Sequence, residues 1–399
     1  MNRAGSRPSL LIISFSPIVG DARVLKQVRA FHERYDVTTV GFGPAPDGVV
    51  EHLRIPDDRA SHPPHPKLLV ARLYRALYRR SPDVAWARAA LRGRRWDVVL
   101  ADDVEAVPLA RWTRPRGGVH ADLHEYSPRL HEEDAGWNRW VRPYMAWMFR
   151  RHVRRTASQT TVGAGLARQY QADFGFLPEV ATNAAPYVDA SPRPTASTVR
   201  LVHSGAALRS RTLGVHVEAL RLAPTRDDGG RNELHFYLTR NDPGYLAELT
   251  AQAAGLDNVV FHDPVPYSEL ASTLRGYDVG VMVLAPVTFS YRWALPNKIF
   301  DFVQARLGVI VGPSPEMAGV VEPRGLGVVT ADFTAETLAA ALRSLTPSDV
   351  DRWKAASHEH ARELSAEQQI QVWERAIDAL AVRAGAAPGS ADVDVGGRR

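Results

Sequence analysis

Short apolar runs alternate with amphipathic stretches along most of the chain, and the spacing of these two patterns predicts its elements. Leu10 to Ser14 is an apolar run closed by Pro17 and Gly20, after which Asp21 opens a stretch with Ala22, Leu25, Val28, Ala30 and Phe31 at helical spacing. Asp36 to Gly41 is a second run, so strand, helix and strand form a βαβ unit. Asp97 to Ala101, followed by a helical stretch from Val104 to Trp112, then Val119 to Leu123 and Thr160 to Val162, extend the alternation. Runs that are apolar throughout point to a parallel sheet covered on both faces.

Around Asp189 to Thr198 the composition shifts to two prolines among small polar residues, as in a linker. The alternation then restarts. Strands are expected at Arg200 to Ser204, Glu233 to Leu238, Val259 to His262, Val279 to Leu284 and Val309 to Val311. Helices are expected at Leu213 to Leu222, Pro243 to Ala254, Tyr267 to Leu274, Lys298 to Arg306 and Ala335 to Leu345, with a last helical stretch over Ser348 to Val382. The expected organisation is a Rossmann-like domain over 1–188, a linker over 189–198 and a second such domain over 199–365. A helix over 366–384 returns to the first domain, and a Gly/Ala/Asp/Arg tail over 385–399 is disordered. The fold class is therefore α/β, with two doubly wound domains facing a cleft lined by strand ends.

Composition narrows the chemistry. The 399 residues hold 45% hydrophobic and 23% charged positions, the balance of a globular protein. With no cysteine, disulfides, thiolate metal sites and a cysteine nucleophile are excluded. Ser9 to Phe15 is too short for a signal peptide's apolar core, and no uncharged run approaches about 18 residues. A cytoplasmic protein is expected, soluble or peripheral at the inner membrane face. Net charge is +5, and Lys26, Lys67, Lys298 and Lys354 are the only lysines, so arginine dominates. So mild an excess does not argue for nucleic acid. Two stretches, Lys67 to Arg80 and Trp137 to Arg155, interleave arginine with aromatics; an anionic membrane surface and a core-facing aromatic stripe are the two readings.

The most informative segment runs from Ser290 to Gly312. Pro296 and Asn297 mark a helix start with Asn297 as the N-cap, leaving first-turn N–H groups free to take an anion. Lys298 at the first helical position is repelled by the helix dipole by ~0.3–1 kcal/mol unless an anion compensates. Asp301 lies one turn on, on the same face. A lysine for phosphate and a carboxylate for ribose hydroxyls suit a nucleoside diphosphate; the alternative is an exposed Lys298–Asp301 salt bridge. In the other half, His120, Asp122 and His124 share one strand face, with Glu125 beside them. Two histidines and a carboxylate could hold a metal, or serve at a reacting centre, or be satisfied polar residues at a strand end. The loop from Ser16 to Asp21 holds Gly20 but no GxGxxG pattern, which speaks against a dinucleotide site; Asp21 would also serve as an N-cap. The pairs Asp102–Asp103 and Asp227–Asp228, with Asp392 and Asp394, read as solvated or capping acids.

The stretch LPNKIFDFVQARLGVIVG resembles the donor-binding signature of GT-B glycosyltransferases related to family 4, in its PNK variant. GDARVLKQVRAF, ADDVEAVPLA, DLHEYSPR, TNAAP and VVFHDPVPYSELASTLRGYDVGVMVL continue the likeness in order, over nearly the whole chain. The resemblance implies transfer of a sugar, with retention, from a nucleoside-diphosphate sugar to an acceptor hydroxyl, in glycan, glycolipid or natural-product biosynthesis. The expected donor is a UDP- or GDP-sugar, the acceptor a glycan, a lipid-linked or a small molecule, and no metal or other cofactor is expected. It also implies that Gly205, Arg211, Asn297, Lys298 and Asp301 bind the donor. Asp122, His124 and Glu125 then lie near the reacting centre, while Gly20 and Asp21 approach the acceptor or sugar. Trp293 stands where the family usually has the first of two glutamates, and Asp301 where it has the second. TRNDPG replaces a Gly-rich turn after Leu238, so that Arg240 or Asn241 would substitute for a backbone contact. A sugar-nucleotide 2-epimerase and a non-catalytic nucleotide- or glycan-binding homologue are the alternatives on the same fold.

Overall fold

The computed structural model describes residues 7–60 and 65–389. The chain forms two compact units, one of Met1–Ala181 with Ile370–Arg399 and one of Thr182–Gln369.

The first unit is built on a seven-stranded parallel sheet. Its strands are β1 (Ser9–Pro17), β2 (Asp36–Phe42), β3 (Glu51–Arg54), β4 (Val98–Asp102), β5 (Gly118–Leu123), β6 (Ser158–Thr161) and β7 (Glu179–Val180), in the order β3-β2-β1-β4-β5-β6-β7. Leu10 pairs with Val37 on one side and Val98 on the other, and Leu10 to Ile13 are fully buried, as a central strand covered on both faces requires. The strand order reverses between β1 and β4, so the crevice that parallel α/β sheets use for ligands lies at the carboxyl ends of these two strands. The last helix, Ala366–Arg383, adds Trp373, Ile377, Leu380 and Ala381 to the core formed by Leu10, Ile12, Val24, Phe31 and Val98. Asp378 fixes it there by accepting hydrogen bonds from Arg34 and from the Tyr35 hydroxyl, both at 2.6 Å.

The second unit holds β8 (Thr198–Ala206), β9 (Arg231–Thr239), β10 (Val259–His262), β11 (Val279–Met282), β12 (Gly308–Val311) and β13 (Gly327–Val329), all parallel, in the order β10-β9-β8-β11-β12-β13. Alternate side chains feed two core layers: Leu201, Val281 and Ile310 point into one, Val202, Met282 and Val311 into the other. Here the reversal falls between β8 and β11. The proline-rich 189–198 stretch is coil fastened to this unit, with Lys354 Nζ donating to the Arg193 carbonyl (2.8 Å) and pairing with Asp278 (2.6 Å).

Several local expectations change. The Asn297–Gln304 helix is capped by Pro296 in extended conformation, so Asn297 is its first residue rather than its N-cap. The stretch from Ser348 to Val382 is two helices, Pro347–His360 and Ala366–Arg383, because the Gln304 side chain reaches between them to the carbonyls of Ala361 (2.6 Å) and Leu364 (3.4 Å). Trp137 to Arg155 is a π-helical turn, an α-helix over Arg142–Arg151 and a 3₁₀ turn. Of the tail, residues 390–399 lie outside the described residues.

Candidate functional site

In the second unit the last residue but one of β8 is Gly205, whose φ of 144° is a conformation that favours glycine. A Cβ there would collide with the Lys298 side chain, so the glycine lets the lysine cross the strand end. Lys298 is brought to that point by the Asn297–Gln304 helix, which is held by its buried Ile299, Phe300, Phe302 and Val303. Gly205, Asn297, Lys298 and Asp301 line one pocket of about 390 Å³ with Tyr237 and Tyr267. Asp301 is buried, and the Tyr267 hydroxyl lies 3.5 Å from its Oδ1. Burial, aided by the Arg211 charge and opposed by Asp301, pushes the Lys298 ammonium down to about 8. The buried Arg211 Nε has no hydrogen-bond partner among the described residues. Unlike Lys354, which rests on Asp278, Lys298 forms no ion pair among the described residues, so the exposed Lys298–Asp301 bridge is not formed. Two crowded cations beside free helix N–H groups make a site for a multiply charged anion. The carboxylate and tyrosines alongside can meet hydroxyl groups and a ring. Arg292 stacks over Trp293, its guanidinium 5.7 Å from the ring centre.

The first unit gathers a second cluster at the ends of β4 and β5. Asp122 is fully buried and takes four hydrogen bonds at 2.7 Å, from Arg23 Nε and Nη2, Gln27 Nε2 and Thr160 Oγ1. Burial pushes its carboxyl up, but Arg23 above all reverses this and holds it well below the usual range. With its lone pairs engaged, Asp122 acts as an anchor. His124 follows, with Nε2 3.3 Å from both Asp102 and Asp122 and Nδ1 3.3 Å from Asp103. Burial works against charge on this ring, yet Asp103, Asp102 and Asp122 outweigh it, and its pKa lies well above the ordinary value. His124 is therefore an imidazolium at neutral pH. Asp103 adopts a positive φ of 61° and accepts the His124 backbone N–H at 2.9 Å, strain of the kind that functional sites store.

His120 is not part of this clasp. Its two nitrogens lie 2.9 Å from Ser158 Oγ and Thr160 Oγ1, and burial pushes it down to about 4, so it is neutral. The two-histidine, one-carboxylate set of His120, Asp122 and His124 is therefore not assembled. The ligand atoms that do converge, within 4.8 Å of one another, are those of Asp102, Asp122 and His124, but the Arg23 guanidinium covers Asp122. Asp102 and Asp103, read as solvated or capping acids, instead enclose His124; Asp102 is 2% exposed, and burial raises it to about 6. Asp228 pairs with Arg226, while Asp392 and Asp394 lie outside the described residues. Glu125 is solvent-exposed at its side chain, and burial of part of it followed by the nearby Asp103 raises its pKa.

Asp21 caps the Ala22–Phe31 helix by accepting from the Arg23 and Val24 amides at 3.1 and 3.2 Å. Gly20 beside it is exposed, with no atom within 4 Å of where a Cβ would stand. Arg240 pairs with Asp263 on the surface at 2.8 Å. In the Trp137 to Arg155 stretch, Tyr144, Met145, Met148 and Phe149 are buried, while Trp137, Trp140 and Trp147 are half-buried. Among the described residues no helix is long and apolar enough to cross a membrane. Sequence reasoning missed Arg23, Gln27, Asp102, Asp103 and Tyr267. Arg23 and Gln27, one turn apart on the same helix, were the available signal for a polar face turned inward.

Two doubly wound parallel domains in tandem, each with a polar cluster at its strand ends, define the GT-B fold class. Solved structures that share it include the trehalose 6-phosphate synthase of Burkholderia multivorans, 12% identical, with a TM-score of 0.65 over 95% of this chain and 98% of that one. Sucrose-phosphate synthase from Thermosynechococcus elongatus gives 12% identity and a TM-score of 0.65 over 93% and 99%. Anabaena HepE, solved with UDP and glucose, gives 12% and 0.66 over 93% and 99%. No protein-family model and no curated protein matches the chain.

Proposed function

We propose that this protein is a glycosyltransferase that moves a sugar from a nucleoside-diphosphate sugar to an acceptor hydroxyl. The observation that carries the reading is the pocket at the end of β8, where Lys298 and Arg211 crowd at Gly205 without a counter-ion pair and Asp301 waits one helical turn away. The cations receive the diphosphate, and Asp301 with Tyr267 receives the ribose. Structural neighbours solved with UDP and glucose, or with UDP-2-fluoro glucose, favour a UDP-sugar as donor. Because Lys298, Arg211 and the helix N-terminus neutralise the diphosphate, the reading needs no divalent ion. In the first domain Asp122 and His124 act as positioning residues, and the exposed Glu125 beside them is the group offered to the acceptor.

The test is thermal stabilisation of the purified protein by UDP-, GDP-, TDP- and ADP-sugars, since a ligand at ~100 times its Kd adds ~2.7 kcal/mol. One of these should raise the melting temperature in wild type and far less in Lys298→Ala, and slow donor hydrolysis without acceptor should survive EDTA. A panel in which no nucleotide sugar shifts the wild-type protein sinks the proposal. Turnover lost to EDTA and restored by manganese overturns the metal-free part of it.

A further inference from the structure

A third feature lies in the first unit, apart from both clusters. The helices Tyr74–Arg80, Pro82–Ala90, Asp103–Thr113 and Arg142–Arg151 enclose a pocket of about 370 Å³. Its wall carries Arg75, Arg79, Arg88, Arg111, Arg114 and Arg151, and no carboxylate lines it. Other arginines rest on acids, as Arg23 does on Asp122, Arg94 on Glu51 and Arg324 on Glu363, whereas among the described residues none of these six forms an ion pair.

The arrangement is built rather than loose. Arg111 donates to the Arg151 carbonyl at 3.1 Å, which ties its guanidinium to the end of the Arg142–Arg151 helix, and Arg88 lies over the Trp112 ring at 4.8 Å. Burial lowers the Arg111 pKa and nearby arginines lower it further; His152 is pushed down to about 4 by burial and then by Arg111 and Arg151, which keeps its imidazole neutral. Trp147 supplies an apolar wall. Crowding like charges in a concave site without acids costs folding free energy, and an anion entering it would offset that cost. Planar guanidinium groups match phosphate oxygens two at a time. The site is not the His124 cluster: Asp103 opens the helix at that cluster, whereas the pocket uses Pro108 to Arg114, roughly 8–16 Å further along at ~1.5 Å per residue.

We propose that this arginine-walled pocket binds a phosphate group carrying more than one negative charge, as in a phosphomonoester or a pyrophosphate. A lipid headgroup and a soluble phosphorylated molecule share this chemistry.

The experiment uses the full chain in four forms: wild type, Arg79→Gln/Arg151→Gln, Lys298→Ala, and the three substitutions combined. Lys298→Ala separates this pocket from the one in the second domain. Calorimetry with inorganic pyrophosphate should show binding that persists in Lys298→Ala and weakens at least tenfold when the two arginine substitutions are added to Lys298→Ala. Without anion, the arginine variant should melt no lower than wild type, because like-charge crowding is relieved. Co-sedimentation with phosphatidic acid vesicles, against phosphatidylglycerol vesicles of equal charge, identifies the source. Capture by the former that is lost in the arginine variant assigns a lipid phosphomonoester, and pyrophosphate binding without capture assigns a soluble ligand. Equal affinity for pyrophosphate in Lys298→Ala and in the combined variant overturns the proposal. So does pyrophosphate binding that disappears entirely in Lys298→Ala.

Discussion

Two residues in similar surroundings are driven in opposite directions by their neighbours. Lys298 is half-buried beside another cation and is pushed down to about 8, whereas His124, half-buried among three aspartates, is pushed up. A phosphate beside Lys298 raises its pKa again, so above about pH 8 nucleotide binding must take up a proton. Affinity for UDP should therefore fall as pH rises from 7 to 10, by at most about tenfold per unit, and Lys298→Arg should flatten the profile. Calorimetry across buffers reads both, and a wild-type affinity independent of pH removes Lys298 from the phosphate site. Lys298→Ala should cost ten- to a hundredfold, the ~1.5–3 kcal/mol of a charge-assisted contact. For His124 the sign is opposite. Its raised pKa contributes stability that is fully present below about pH 6.5 and lost as pH climbs through the folded-state value. His124→Gln should cost about 3 kcal/mol at pH 7, by stranding buried carboxylates, while leaving UDP affinity unchanged. Nitrogen-15 spectra should show a doubly protonated ring at pH 7.5; a neutral tautomer there contradicts the clasp.

At the level of elements, the pocket proposed for the donor depends on one glycine at the end of one strand. Gly205→Ala meets both a forbidden backbone and the Lys298 side chain, so nucleotide affinity should drop at least tenfold with ~1–3 kcal/mol of stability. Combined with Lys298→Ala the losses should be less than additive, because the lysine that collides is then gone; strict additivity would place the two apart. The central strands were legible because β1, β4 and β12 carry the unbroken apolar runs Leu10 to Ile13, Val98 to Ala101 and Val309 to Val311, which a two-sided sheet demands. The edge strands β3, β7 and β13 were not. They read EHLR, EV and GVV, too short or too polar to carry a period. The Lys298–Asp301 spacing was readable because a helix sets it locally. The Asp122 anchor was not, since its partner Arg23 is 99 residues away and nothing local ties them. For the same reason Asp102 and Asp103 read as surface acids until β5 brings His124 to them.

Across the whole molecule, the first unit draws its residues from both ends of the chain and the second from one unbroken stretch. Truncation after Gln369 should therefore injure the first unit selectively. It removes Trp373, Ile377 and Leu380 from the core, and large-to-small losses there run at ~2–5 kcal/mol each, comparable with a domain's entire stability. Hydrogen exchange should show β1, β2 and β4 losing protection while the β8–β12 amides keep theirs and UDP still binds. Uniform deprotection of both sheets would mean that the units stand or fall together.

The same division sets an order of birth. On the ribosome β1 to β7 emerge first, yet the helix that closes their core is the last helix to be made among the described residues. At ~5–20 residues per second, roughly 10–40 s separate Ala181 from that helix. The second unit can complete itself during this interval. The first waits with part of its apolar surface open, and in that window a chaperone would find it.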